Sequence, residues 1–252
     1  MTNPIAVITG GSRGLGRNAA VALARRGVHP IITFRTREDE AKATLAAVEA
    51  AGGRGAAMQL DVSRAATFGD FAGALSKTLH ERFGRARFDA LVNNAGTGLH
   101  KPFTETTEAE FDELVNVHLK GPYFLTQKLL PLLEDGGRIL NISTGLARFA
   151  LPGYSAYATM KGGVEVFTRY LAKELGARRI TVNTLAPGAI ETDFNGGALR
   201  SNEQMKAIVS SVTALGRPGQ ADDIGPVIAN LLRADNGWIN GQRVEASGGM
   251  FL

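Results

Sequence analysis

Tyr157 and Lys161 stand four residues apart in Tyr157-Ala158-Thr159-Met160-Lys161. On a helix that spacing puts a phenol and an ammonium on one face, one turn apart. A phenol titrates near pH 10 and is a poor acid–base group alone. A neighbouring ammonium favours the phenolate and lowers that value. Such a pair can pass a proton to or from an oxygen whose charge changes during a reaction. Tyr–Lys pairs also occur on ordinary helix surfaces, so the pair takes its meaning from its surroundings. One such surrounding is Thr9-Gly10-Gly11-Ser12-Arg13-Gly14-Leu15-Gly16, where Gly10, Gly14 and Gly16 have the spacing G-x3-G-x-G between an apolar run and a helical stretch. Glycines there let the backbone turn sharply and approach a pyrophosphate. The helix N-terminus then presents free N–H groups and the positive end of its dipole. A glycine-rich turn with no ligand is the plainer reading, and the strand–loop–helix context at the start of an alternating chain argues against it.

The second apolar run ends Thr33-Phe34-Arg35-Thr36-Arg37, with no carboxylate before Glu38. Dinucleotide sites that prefer NAD commonly place an acidic residue here, on the adenosine ribose hydroxyls. Guanidinium groups at this position, with Arg13 in the glycine loop, suit a 2′-phosphate through charge-assisted and often bidentate hydrogen bonds. The residues therefore favour NADP(H) over NAD. The alternative is that the arginines are solvated surface residues.

With Asn93-Asn94-Ala95-Gly96 at the end of the fourth apolar run, these motifs resemble those of the short-chain dehydrogenase/reductase family. The resemblance spans essentially the whole chain. It continues through Asn116 in Asn116-Val117-His118-Leu119-Lys120-Gly121, Pro187-Gly188 followed by Thr192, and Gly241-Gln242. It implies that Tyr157 is the general acid in reduction and the base in oxidation, that Lys161 also holds the nicotinamide ribose, and that Asn116 bends its helix and anchors a water in a proton relay. It further implies cofactor contacts from Asp61 and Val62 on the adenine, from Asn93, Ala95 and Gly96 beside the adenosine ribose, and from Pro187, Gly188, Ile190 and Thr192 near the carboxamide and phosphates. Asp61 could equally be a turn residue after a strand. The family usually has a serine thirteen residues before the tyrosine. Here that register gives Thr144, with Ser143 one residue earlier. Neighbours at a strand end point in different directions, so only one serves; register favours Thr144 and leaves Ser143 as the alternative.

These residues must be positioned by the elements between them. Strand-like runs fall at 5–9, 30–34, 56–60, 88–93, 138–143, 180–185 and 242–246. Helical patterns fall at 16–26, 38–51, 65–82, 107–133 (bent near Gly121-Pro122), 155–176, 200–212 and 221–233. Strands with nearly continuous apolar runs, alternating with helices, imply a parallel sheet covered on both faces. The expectation is an α/β, doubly wound parallel sheet (a Rossmann fold) as a single domain over 1–252. The irregular stretch 188–215 is expected to act as a substrate lid.

Composition agrees with a globular domain. The 252 residues are 44% hydrophobic and 21% charged, near ordinary values for a folded domain. The absence of cysteine removes thiolate catalysis, disulfide staples and Cys-type metal sites. His29, His80, His100 and His118 have no metal-ligand spacing and read as structural or surface residues, so no metal site is expected. The net charge of +4 comes from scattered pairs such as Arg25-Arg26 and Arg178-Arg179, which does not suggest nucleic acid. No basic leader precedes a long apolar run, and no run reaches the length of a membrane span. A cytoplasmic location without membrane contact is the expectation.

Within the family resemblance, the first substrate reading is a 3-oxoacyl-carrier-protein reductase-like activity. Arg178-Arg179 could meet an acidic carrier, whereas Glu134-Asp135 would oppose it. A reductase of a free small ketone, quinone or sugar-like alcohol is the alternative. A non-catalytic NADP(H) sensor or scaffold is the alternative of another class. Phe103, Leu146, Phe149, Leu151, Tyr154 and Phe194 are candidate pocket residues. The resemblance also implies a homo-oligomer, tetramer or dimer, formed through the two long helices.

Overall fold

The computed structural model describes residues 3–252, apart from the side chains of Asn195 and Ala198. Met1 and Thr2, part of the expected single domain, lie outside the described residues. Seven strands form one parallel sheet: β1 (Ile5–Ile8), β2 (His29–Phe34), β3 (Ala56–Gln59), β4 (Phe88–Asn93), β5 (Leu133–Ile142), β6 (Thr181–Pro187) and β7 (Arg243–Ala246). Their spatial order is β3-β2-β1-β4-β5-β6-β7. The chain winds outward from β1 to β3, then returns to β4 on the other side of β1. That reversal opens a crevice beyond the C-terminal ends of β1 and β4, the place where open α/β sheets bind ligands.

The helices are α1 (Gly14–Ala24), α2 (Glu38–Ala50), α3 (Phe68–Thr78), α4 (Glu108–Val115), α5 (Gly121–Leu129), α6 (Ser155–Glu174), α7 (Ala198–Ser201), α8 (Glu203–Ser211) and α9 (Ala221–Leu231). Side chains alternate between the faces of a strand, and β1 shows the consequence. Ile5 and Val7 join a core with Phe68, Leu75, Leu125, Leu129 and Ala172, from α3, α5 and α6. Ala6 and Ile8 join a second core with Ala19, Leu23, Val48, Ile224 and Ile228, from α1, α2 and α9. Each large side chain so buried contributes about 1.5–3 kcal/mol. The expected doubly wound α/β fold is therefore the observed one. Among the described residues no helix is long and apolar enough to cross a membrane.

Two boundaries differ from the sequence reading in ways that matter. The helix expected to run to 133 ends at Leu129, and β5 begins at Leu133, paired with Phe88 across a register shift. Glu134 and Asp135 thus sit at the irregular start of a strand, not at a helix end. Glu134 there accepts from Arg85 at 3.1 Å. Second, the bend expected at Gly121-Pro122 begins earlier. Residues Asn116–Lys120 form a π turn, closed by the Gly121 N–H donating to the Asn116 carbonyl. Pro122 follows in the first turn of α5, where its missing N–H breaks no helical bond.

Candidate active site

Helix α6 buries Tyr157, Met160, Lys161, Val164, Thr168 and Ala172. That is one stripe at helical spacing, so the face carrying the phenol and ammonium is the face packed onto the sheet. Tyr157 and Lys161 are 7% and 5% exposed. The Lys161 Nζ donates to the Ile142 carbonyl at 2.7 Å and lies 5.7 Å from the Tyr157 ring centroid. Burial draws Lys161 down to about 8. Burial also pushes the Tyr157 phenol above its ordinary value, with Tyr154 adding to the rise. The sequence reading had the ammonium lowering the phenol. In this structure desolvation sets the direction, and Nζ is turned to the end of β5.

The two candidate hydroxyls part as the strand geometry requires. Ser143 is 3% exposed, and its hydroxyl donates to the Glu165 carboxylate at 2.7 Å. Glu165 accepts in turn from Arg243, which also donates to the Thr144 carbonyl at 3.2 Å. Thr144 is half-buried, and its Oγ1 accepts from the Leu146 N–H at 3.3 Å. That bond leaves the Thr144 hydroxyl hydrogen to donate elsewhere. Arg148 closes the same corner, pairing with Glu245 at 2.8 Å and donating to the Met250 carbonyl.

Asn116 opens the π turn and is half-buried. Among the described residues its side chain makes no hydrogen bond to Tyr157 or Lys161. The residue of this segment that meets the phenol is His118. Its ring stands edge-on to Tyr157, with centroids 5.4 Å apart, and is 1% exposed. Sequence reasoning set His118 aside as structural because it lacked metal-ligand spacing. The π turn is what conceals it, since one extra residue in a helix turns the following side chains onto another face.

At the crevice, the backbone makes a cradle. Gly10 and Gly14 hold left-handed φ of +64° and +54°, which glycine adopts without penalty. A Cβ on Gly16 would lie 2.4 Å from the Gly10 carbonyl oxygen and 2.6 Å from the Asn94 Nδ2. Helix α1 opens with no side-chain cap and no acidic residue in its first turn, so its N–H groups and dipole face the loop unopposed. Ser12 is buried, with its carbonyl held by Thr44, and Leu15 packs into the core beneath. Thr192 is buried across the loop from Gly14. The Ile190 backbone bridges Gly219, and the Gly188 N–H donates to Ala246, which fixes the exit of β6 after Pro187.

Asn93 and Asn94 divide their work. Asn93 donates to Thr126 and Asn141, both in the core, so its amide hydrogens do not face the crevice. Asn94 instead donates to the Thr9 and Gly10 carbonyls and ties β4 to the glycine loop. Ala95 donates its N–H to Thr9, and Gly96 lies exposed at the rim. Asp61 accepts from the Ser63 N–H and hydroxyl, as a turn aspartate does. Burial alone would raise its carboxyl, but Ser63 and the charges of Arg35 and Arg64 bring it below its ordinary value. Val62 packs half-buried beside it. Arg35 and Thr36 are exposed. Arg13 and Arg37 converge on Glu40, at 4.0 and 3.0 Å, whereas Arg35 has no ion-pair partner among the described residues. An uncapped helix start, left-handed glycines and a cluster of guanidiniums fit a dinucleotide diphosphate with an added phosphate.

The chain belongs to the short-chain dehydrogenase/reductase family of oxidoreductases. The family description that matches it, enoyl-(acyl carrier protein) reductase, covers residues 10–251. An uncharacterized oxidoreductase of Methylorubrum extorquens is 35% identical over 246 residues, covering 98% of this chain and 97% of the relative. Among solved structures, the promiscuous reductase LugOII, which catalyses keto-reduction at C1 during lugdunomycin biosynthesis, is 36% identical. Its TM-score is 0.94, with 100% of this chain and 99% of LugOII covered. The angucycline C-6 ketoreductase LanV with bound NADP is 34% identical, with a TM-score of 0.93 and coverage of 99% and 96%.

Proposed function

We propose that this protein is an NADP(H)-dependent ketoreductase acting on a free, ring-bearing ketone, with Tyr157 as the proton donor. The observation that carries the reading is the buried Tyr157–Lys161 pair on α6, set at the same sheet end as the uncapped start of α1. NADPH, when bound, supplies the hydride. The glycine loop and α1 hold its diphosphate, Arg35 with Arg13 and Arg37 meets the 2′-phosphate, and Thr192 with the Gly188 turn borders the nicotinamide end. Tyr157, whose pKa burial raises, keeps its proton at neutral pH and gives it to the carbonyl oxygen as that oxygen becomes an alkoxide. Thr144 donates a hydrogen bond to the same oxygen. LugOII and LanV, both keto-reducing, support the direction.

Aromatic side chains at Tyr157 and in the loops before and after α6 support the substrate class. Phe194 lies 5.9 Å from the Tyr157 ring, His100 lies 4.7 Å from Tyr154, and Phe149 lies 4.5 Å from Phe251. Flat rings suit such walls. Carrier-protein docking is disfavoured because Arg178 is occupied, by Asp135 at 2.6 Å and by the Leu130 and Leu133 carbonyls. The segment 188–215 is the lid over this pocket. Tyr123, Phe124, Val166 and Tyr170 are exposed on α5 and α6 and form the face through which copies associate.

The test is turnover of NADPH with a bicyclic aromatic ketone and, separately, with an acetoacetyl thioester. Faster turnover of the ring ketone is expected, with Tyr157→Phe inactive and still binding NADPH. A clear preference for the thioester would overturn the substrate assignment.

A further inference from the structure

His118 is more than packing. Its Nε2 lies 2.7 Å from the Thr97 carbonyl oxygen. The Thr97 N–H also points at Nε2, from 3.4 Å, but the carbonyl contact is much the shorter; a carbonyl only accepts, so Nε2 carries the hydrogen and the neutral ring keeps a bare lone pair at Nδ1. That Nδ1 is buried and has no hydrogen-bond partner. Buried polar atoms are nearly always paired. The ring is held neutral by burial and by the nearby Lys161 charge, which draw it down to about 3 against the Thr97 bond. The groups around it are Tyr157, edge-on, the Lys161 ammonium, and Gly96 at the rim of the crevice. A Cβ on Gly96 would come within 2.8 Å of the His118 Cε1 and 3.5 Å of Nδ1. The Cε1–Nδ1 edge of the ring therefore faces the loop that follows β4. Lys161 has three N–H hydrogens, and among the described residues its Nζ donates to Ile142 alone.

We propose that His118 is a positioning residue for proton supply: its Nδ1 accepts a hydrogen bond from a water that also accepts one from the Lys161 ammonium. The inference rests on Tyr157 being the proton donor. The Tyr157 O–H bond breaks as its proton goes to the substrate oxygen. The phenolate regains a proton from the ammonium side, Lys161 from the water, and the water from solvent at the Gly96 rim. One proton enters per ketone reduced. His118 itself carries no charge in this path; Nδ1 holds one O–H of the water, so that its oxygen accepts from the ammonium and, once Lys161 has given up its proton, its second O–H turns to the Nζ amine and delivers one as solvent reprotonates the water.

Two substitutions separate this role from packing. His118→Asn places an amide oxygen near the position of Nδ1 and loses the Thr97 bond. His118→Gln places an NH2 near Nε2, keeps the Thr97 bond and loses the acceptor. Tm, NADPH affinity, kcat and KM are measured for both. The expected result is that His118→Gln loses about tenfold or more in kcat, within the range of a positioned proton-transfer group. KM and NADPH affinity hold, and the solvent isotope effect on kcat rises. His118→Asn retains more kcat than His118→Gln at a lower Tm. The reverse order, or equal kcat in the two variants, overturns the proposal. A second readout needs no turnover. The 15N resonance of Nδ1 in the wild-type protein is expected to be that of an unprotonated nitrogen accepting a hydrogen bond. A protonated Nδ1, or one accepting no hydrogen bond, overturns the inference whatever the enzyme reduces, whereas an inactive wild type with the expected resonance would count against the ketoreductase reading alone.

Discussion

Adjacent hydroxyls at the end of β5 should separate cleanly by experiment. Ser143→Ala removes a donor to a carboxylate that is itself paired with Arg243. A hydrogen bond to a charged group is worth about 1.5–3 kcal/mol. In a chain of this size each kcal/mol moves Tm by about 2–4 °C. Ser143→Ala should therefore melt roughly 3–12 °C below wild type. Its kcat should stay within a few-fold, because the lost hydroxyl points at α6. Thr144→Val keeps the side-chain shape and loses the hydroxyl. Its stability cost is one neutral bond to Leu146, about 1 kcal/mol. If Thr144 donates to the developing alkoxide, kcat should fall by roughly 10²–10³-fold, as for the loss of one oxyanion donor. Scanning calorimetry and NADPH turnover on both variants decide the matter. A Ser143→Ala enzyme with full stability and a hundredfold loss of kcat would refute this division of roles.

Three further outcomes follow from the geometry. Arg35→Ala should weaken NADPH binding by roughly 10- to 150-fold, the loss of one charge-assisted contact, and leave NADH affinity within about twofold; calorimetric titration with both cofactors checks it. Gly16→Ala drives a methyl against the Gly10 carbonyl and the Asn94 amide. It should cost at least about tenfold in NADPH affinity and lower Tm, both readable by titration and melting. Glu245 would be raised by burial, but bonds from Arg148, Arg243 and Ser247 hold its carboxyl at about 2, against 4.5 ordinarily. A depressed carboxylate stabilises fully above its unfolded value and loses that contribution as pH falls toward the folded one. The Tm gap between wild type and Glu245→Gln should thus be widest at pH 6–7 and narrow between pH 4.5 and 2; a gap independent of pH would show that Glu245 does not act through its charge.

Much of this was legible in the amino-acid sequence because parallel strands are buried on both faces. Ile5–Ile8 and Phe88–Asn93 read as apolar runs whatever their neighbours do. Tyr157 and Lys161 were legible because α6 runs unbroken through both. The misplaced elements are of one kind: regular periodicity does not carry through an irregular backbone. Leu129-Leu130-Pro131-Leu132-Leu133 continues a helical pattern, yet tertiary pairing of Leu133 with Phe88 turns its end into strand. The π turn moves His118, not Asn116, against Tyr157. Asn93 and Asn94 are adjacent identical residues, and only the alternation of the strand decides that the second reaches the glycine loop.

The π turn at Asn116–Lys120 also sets how this chain can change. One residue more than an α-helix needs is accommodated there. Deleting a single residue from that segment would place Pro122, which has no N–H and crowds the preceding turn, inside a continuous α-helix, a change that disfavours the helix. The same deletion would rotate one side of the join against the other and move the imidazole off the phenol. The segment is thus a place where fold and chemistry keep the same extra residue: it lets Pro122 enter the helix without a broken bond and holds His118 against Tyr157.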